Sequence, residues 1–195
     1  GECIEQSLLD LAVRWAVVSE HLFPFFSQLD TTADTGLEKI VPDLITAEVQ
    51  EGSGKVEDKG FRRYTDLIDS HNYVRELSTV RTPAGRSYSE RLNDDLKGEF
   101  VLKKSFADDL RSSDPTFPES LVNAEGAEFV KETETQFDFT ISVFKDSADS
   151  SYGTVALIQD KDFVIVTSEE RSVVEWAEDC FERYAARGEE IPEGK

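Results

Sequence analysis

Between residues 44 and 122, short apolar runs take turns with amphipathic helical patterns, and this alternation limits the fold more than any other feature of the chain. Leu44–Val49 reads as a strand and is followed by the turn Glu51-Gly52-Ser53-Gly54. Phe61, Tyr64, Leu67 and Ile68 recur at helical spacing. Tyr73–Val80 reads as a second strand, and Pro83 opens a helix over Ala84–Leu96 that Gly98 stops. Phe100–Leu102 is a third strand, continuously apolar as strands covered on both faces are. Ser105 caps a helix over Phe106–Leu110. Pro115 and Pro118 bracket a turn before Glu119–Val122. Strand–helix repeated in this way predicts an α/β fold: a parallel-sheet core, built by right-handed crossovers, with flanking helices.

The last third changes character. Glu128–Lys131 reads as a short strand. Phe137, Phe139, Ile141 and Val143 alternate with polar residues, the pattern of a half-buried strand. A polar loop over Asp146–Ser151 follows. Val155–Ile158 and Phe163–Val166 flank Gln159-Asp160-Lys161-Asp162, which predicts a C-terminal antiparallel hairpin. Thr167 with Glu170 makes a capping-box pattern for a final helix. Its buried stripe is Val173, Val174, Trp176, Ala177, Cys180, Phe181 and Tyr184, and Gly188 ends it.

Ahead of this body lies an N-terminal amphipathic helix. Ile4, Leu8, Leu11, Trp15, Val18, Leu22, Phe25 and Leu29 recur at spacings of four and three, an a/d heptad seam that Pro24 interrupts. Two readings stand: the helix pairs with its twin in a homodimer, through Ile4, Leu8, Leu11, Trp15, Val18 and Leu22, or it lies on its own domain. Residues 30–43 read as a polar linker with a helical turn around Leu37–Val41. The expected division is a dimerisation and linker helix at 1–29 and an α/β domain at 43–190.

The chain carries 41 acidic against 21 basic residues, a formal charge of −20 spread along its length. Such a surface repels itself at low ionic strength and is screened in concentrated salt, which fits the cytoplasm of a salt-adapted organism, an ordinary acidic mesophile protein being the alternative. It has the wrong sign to neutralise phosphates, so this stretch does not hold a nucleic acid by itself. No run approaches the roughly 18 apolar residues of a membrane span, and no secretory signal is visible. With Gly at position 1 and no methionine, the sequence reads as an excised piece of a longer chain.

Catalytic patterns are lacking. The two histidines, His21 and His71, form no H-x-x-x-H or H-E-x-x-H spacing, and the cysteines Cys3 and Cys180 form no C-x-x-C. Neither G-x-G-x-x-G nor the P-loop pattern occurs, and Gly52-Ser53-Gly54-Lys55 is a plain turn. Acid pairs such as Asp94-Asp95 and Asp108-Asp109 read as solvated surface in so acidic a chain. No catalytic residue, metal or cofactor is expected. Cys180 is expected to be a buried small hydrophobe, and Cys3 to be exposed.

Ligands of an open parallel sheet bind beyond the carboxyl ends of the strands. Here those ends are Gln50–Lys55, Thr79–Thr82 and Lys103–Ser105. They offer Ser53, Thr79, Arg81, Thr82, Lys104 and Ser105 to a small anionic metabolite, a carboxylate or a phosphate. The same residues also read as helix caps and surface cations.

Leu22-Phe23-Pro24-Phe25-Phe26, then Leu44–Val49 and Phe61–Ile68, and finally Val164–Ser168 with Val174-Glu175-Trp176-Ala177-Glu178 and Phe181–Tyr184, resemble the region behind the winged helix of archaeal helix-turn-helix regulators. The type is the haloarchaeal one that shares its C-terminal domain with methanogenesis regulators, and the likeness runs over about residues 20–190. The resemblance implies a phospholipase-D-like sensor domain behind an N-terminal winged helix. The phospholipase H-x-K pattern is absent, so hydrolysis is not implied. The expected role is the effector-sensing and dimerisation part of a transcription regulator, touching DNA only through a domain ahead of residue 1. A degenerate hydrolase-like enzyme and a ligand-free interaction module are the alternatives.

Overall fold

The structure, a computed structural model, describes residues 40, 42–50, 59–79, 85–113, 117–135, 140–150, 153–159 and 164–191. Residues 1–39, and with them Ile4, Leu8, Leu11, Trp15, Val18, Leu22, His21 and Cys3, lie outside the described residues.

The described strands form one eight-stranded sheet. They are β1 (Glu48–Gln50), β2 (Tyr73–Ser78), β3 (Lys97–Lys103), β4 (Ala127–Thr133), β5 (Thr140–Lys145), β6 (Thr154–Gln159), β7 (Val164–Ser168) and β8 (Glu189–Glu190), in the spatial order β1-β7-β6-β5-β2-β3-β4-β8. Among the described residues five helices flank the sheet: α1 (Lys59–Ser70), α2 (Gly85–Leu92), α3 (Lys104–Ser113), α4 (Phe117–Val122) and α5 (Arg171–Ala185). The fold is therefore mixed α/β. Its parallel part is confined to β2, β3 and β4, and every other pairing is antiparallel.

That corrects the expectation of a sheet parallel from its first strand. β1 does not neighbour β2. It pairs antiparallel with β7 at the far edge, with three strands between it and β2. Its sequence, Glu-Val-Gln, suits an edge, where polar side chains discourage further pairing. Leu44 also lies outside that strand, in a 3-10 turn over Asp43–Thr46.

Two apolar layers hold the molecule together. On one face α5 packs Val173, Ala177, Cys180 and Phe181 against Leu77, Val101, Val143 and Val155, joined by Ile40 and Leu44. On the other, α1 to α4 supply Tyr64, Leu67, Ile68, Leu92, Ala107 and Leu121 against Val74, Phe100, Phe144 and Ile165. β5 is buried along its whole length, not half-buried as alternation suggested, because it sits between β2 and β6 with helices on both faces.

Other boundaries differ locally. α2 ends at Leu92, and the Arg91 carbonyl then accepts from the amides of Asp94, Asp95 and Leu96. Gly98 stops no helix. It lies inside β3, where a Cβ would stand 2.8 Å from the Phe100 ring and 2.9 Å from Val74. α3 starts at Lys104, so Ser105 sits in its first turn and does not cap it. Pro118 falls within α4, where a first-turn proline forfeits no hydrogen bond. The N-cap of α5 is Glu170, without a side-chain cap bond, while Thr167 is buried on β7.

Candidate functional site

The carboxyl ends of β2 and β3 lie side by side and bring Thr79, Lys104 and Ser105 to one edge. Thr79 donates its backbone N–H to Thr140 Oγ1 at 3.2 Å. Lys104 pairs with Glu134 at 2.6 Å, and that hydrogen bond raises its pKa. Ser53, Arg81 and Thr82 lie outside the described residues. The end of β1, which leads to Ser53, is on the other half of the sheet from Thr79 and Lys104.

The opposite edge carries a cleft. It opens at the carboxyl end of β7 and the amino ends of β1 and β6, with α1 as one wall. Its volume is about 290 Å³. Strand alternation aims Thr154 of β6 and Thr167 of β7 at the α1 side, in step with Ala156 and Ile165 of that core. Both are 4% exposed. Ser168 is also buried, and its hydroxyl accepts from the Glu170 amide at 3.3 Å. Arg63 reaches in from α1, with Nε 3.6 Å from Glu48 Oε2. Glu169, Glu170 and Thr46 form the rim, and Thr46 donates to Glu170 Oε1 at 3.3 Å.

A second cavity of about 300 Å³ adjoins the first and shares Thr154 and Glu169 with it. His71, Asp146 and Gly153 complete it. His71 precedes β2, and its Nδ1 stands 2.9 Å from the Leu67 carbonyl, so that nitrogen is the donor. The arrangement can hold a small polar molecule with both donors and acceptors. Among the described residues no group of three or more His, Cys, Asp or Glu is placed to hold a metal ion.

Two buried polar clusters support the sheet on either side. On the α1 face Glu76 Oε2 accepts from Tyr64 at 2.5 Å, Tyr88 at 2.6 Å and Ser142 at 3.0 Å. Burial, and then the Glu76 charge, push both phenols well above their usual pKa. On the α5 face Arg75 meets Glu99 at 2.9 Å and Glu178 at 2.6 Å, and Lys145 meets Glu178 at 2.9 Å. Burial alone would lower the Arg75 pKa, but the bonds to Glu178 and Tyr73 and the nearby carboxylates raise it.

Sequence reasoning missed the cleft. Thr46, Arg63, Thr154 and the Thr167–Glu169 stretch come from four separate segments that only the strand order brings together. The one local signal was Thr154 and Thr167 standing polar beside the apolar runs of their strands.

The family described as "Methanogenesis regulatory protein FilR1, middle domain" matches residues 58–187. No curated protein matches the sequence. Among solved structures, TrmBL2, described as an archaeal chromatin protein with a novel mode of DNA binding, is similar with a TM-score of 0.53 at 12% identity, over 97% of this chain and 67% of that one. Nuc, a phospholipase D family member from Salmonella typhimurium, is similar with a TM-score of 0.50 at 10% identity, over 74% of this chain and 98% of that one. At such identities the two neighbours speak for the fold alone. The family match fits a domain of a regulatory protein. The match spans well over half of the sequence, and the chain belongs to the family of the FilR1 middle domain.

Proposed function

We propose that the chain is the effector-sensing and dimerisation part of a transcription regulator, and that it catalyses nothing. The observation that carries this reading is the match to a regulatory protein's middle domain over residues 58–187. In this reading a winged helix ahead of residue 1 reads DNA, and the heptad stripe from Ile4 to Leu22 joins two copies. An effector bound to the α/β body changes the spacing of the two DNA-reading heads, which must match half-sites about one helical turn apart. The charge of −20 supports work in a salt-rich cytoplasm and leaves phosphate contacts to the upstream domain.

Light scattering after size exclusion in concentrated salt tests the assembly. A dimer is expected, both for this chain and with its upstream residues restored. A monomer in both cases would sink the proposal. Reading the gene upstream of residue 1 tests the rest: a winged helix is expected there, and an unrelated domain overturns the assignment.

A further inference from the structure

We infer that the cleft at the α5 amino terminus binds a small zwitterion of the amino-acid class, one with a basic side chain. The inference rests on the sensing role proposed above and names what is sensed.

Arg63 supplies the first argument. Its Nε is buried without a hydrogen-bond partner, and its ion-pair contact with Glu48, at 3.6 Å, is too long for a hydrogen bond. A guanidinium is a planar fork of donors that a carboxylate satisfies with two parallel bonds. Thr154 and Thr167 supply the second. Each is more than nine-tenths buried, each lines the cleft, and neither hydroxyl has a hydrogen-bond partner among the described residues. Both hydroxyls open into the cleft and can donate to or accept from a polar occupant.

The rim sets the sign of the rest. Glu169 and Glu170 would repel a simple anion drawn to Arg63. An ammonium group next to the ligand's carboxylate turns that repulsion into attraction. The adjoining cavity carries Asp146 and shares Glu169, so a side chain reaching into it meets further carboxylates. A second ammonium fits there. No phenylalanine, tyrosine or tryptophan is among the described lining residues, and His71 is the one described ring there.

Isothermal calorimetry on this chain, at fixed high ionic strength, tests the inference with L-lysine, 1,5-diaminopentane, glucose and inorganic phosphate. Diaminopentane is lysine without its carboxylate. Lysine is expected to bind about tenfold or more tightly than diaminopentane, the gain being its paired bonds to Arg63. Arg63→Gln is expected to erase that difference while leaving the melting curve near the parent's, since Arg63 is partly exposed. Thr167→Val is expected to weaken lysine too, and Arg111→Gln, whose ion pairs to Asp108 and Glu132 lie on the other half of the sheet, to leave it unchanged. Equal binding of lysine and diaminopentane overturns the inference, as does lysine binding untouched by Arg63→Gln. Glucose or phosphate binding where lysine does not also overturns it, yet leaves the sensing role standing. Lysine bound by a chain that stays monomeric beside an unrelated upstream domain upholds the inference and removes the regulator.

Discussion

Glu76 ties three elements to one oxygen. Tyr64 of α1, Tyr88 of α2 and Ser142 of β5 all donate to its Oε2. Replacing Glu76 by Leu removes the acceptor these buried hydroxyls share and leaves them only one another, and chemical denaturation is expected to give a loss of about 3 kcal/mol. Tyr88→Phe removes one donor to a charged acceptor and is expected to cost about 1.5–3 kcal/mol. Sequence could not reveal this cluster. A glutamate in the middle of a strand reads as solvent-facing, and Glu76 is 5% exposed only because two helices cross over it. Cys180 was readable, because it falls on the apolar stripe of its helix. Burial pushes its thiol from an ordinary 9.0 up to about 11, against the opposing pull of Arg183. A raised folded pKa means the folded chain holds the proton more tightly than the unfolded one. The stabilisation is therefore whole below about 9 and is lost as pH rises through about 11. Denaturation midpoints of the parent should fall over that window more steeply than those of Cys180→Ala. Iodoacetamide should leave Cys180 unlabelled at neutral pH until the protein unfolds.

The turn before β4 depends on a close approach of backbone to backbone. Gly126 donates to the Leu92 carbonyl at 2.7 Å and accepts from the Gly98 amide at 2.9 Å. A Cβ there would stand 2.0 Å from the Leu96 carbonyl oxygen, an atom with no freedom to move aside. Gly126→Ala is therefore expected to destabilise the protein by about 1–3 kcal/mol in urea, with the slope of the transition unchanged. At this scale the sequence was informative where burial follows a period. α1 carries its stripe at the expected positions, α5 does so except that Tyr184 is only partly buried, and β2 and β3 contain their expected cores. It was misleading where position depends on partners. Nothing in Glu48–Gln50 says that β1 will cross to the far edge and run against β7. Nothing in Thr140–Lys145 distinguishes a strand covered on one face from one covered on both. The capping box at Thr167 failed for a related reason: that residue is claimed by the sheet, so its hydroxyl faces the cleft.

Across the whole molecule the dominant long-range force is self-repulsion. At a formal charge of −20, moving from dilute buffer to molar potassium chloride should raise Tm by about 5 °C or more, and scanning calorimetry reads it directly. Charge and the family likeness were visible in the linear sequence. The cleft was not, since its residues run from Thr46 to Glu170 and meet only after the sheet is assembled. That assembly also decides how residues 40–47 join the body. Ile40 and Leu44 sink into the α5 layer, Asp43 hydrogen-bonds Ser172 of α5, and Thr46 holds Glu170 at the lip of the cleft. The 3-10 turn over Asp43–Thr46 is thus moored at the doorway of the cavity. A guest that tugs on Glu170 tugs on that mooring through its contact with Thr46.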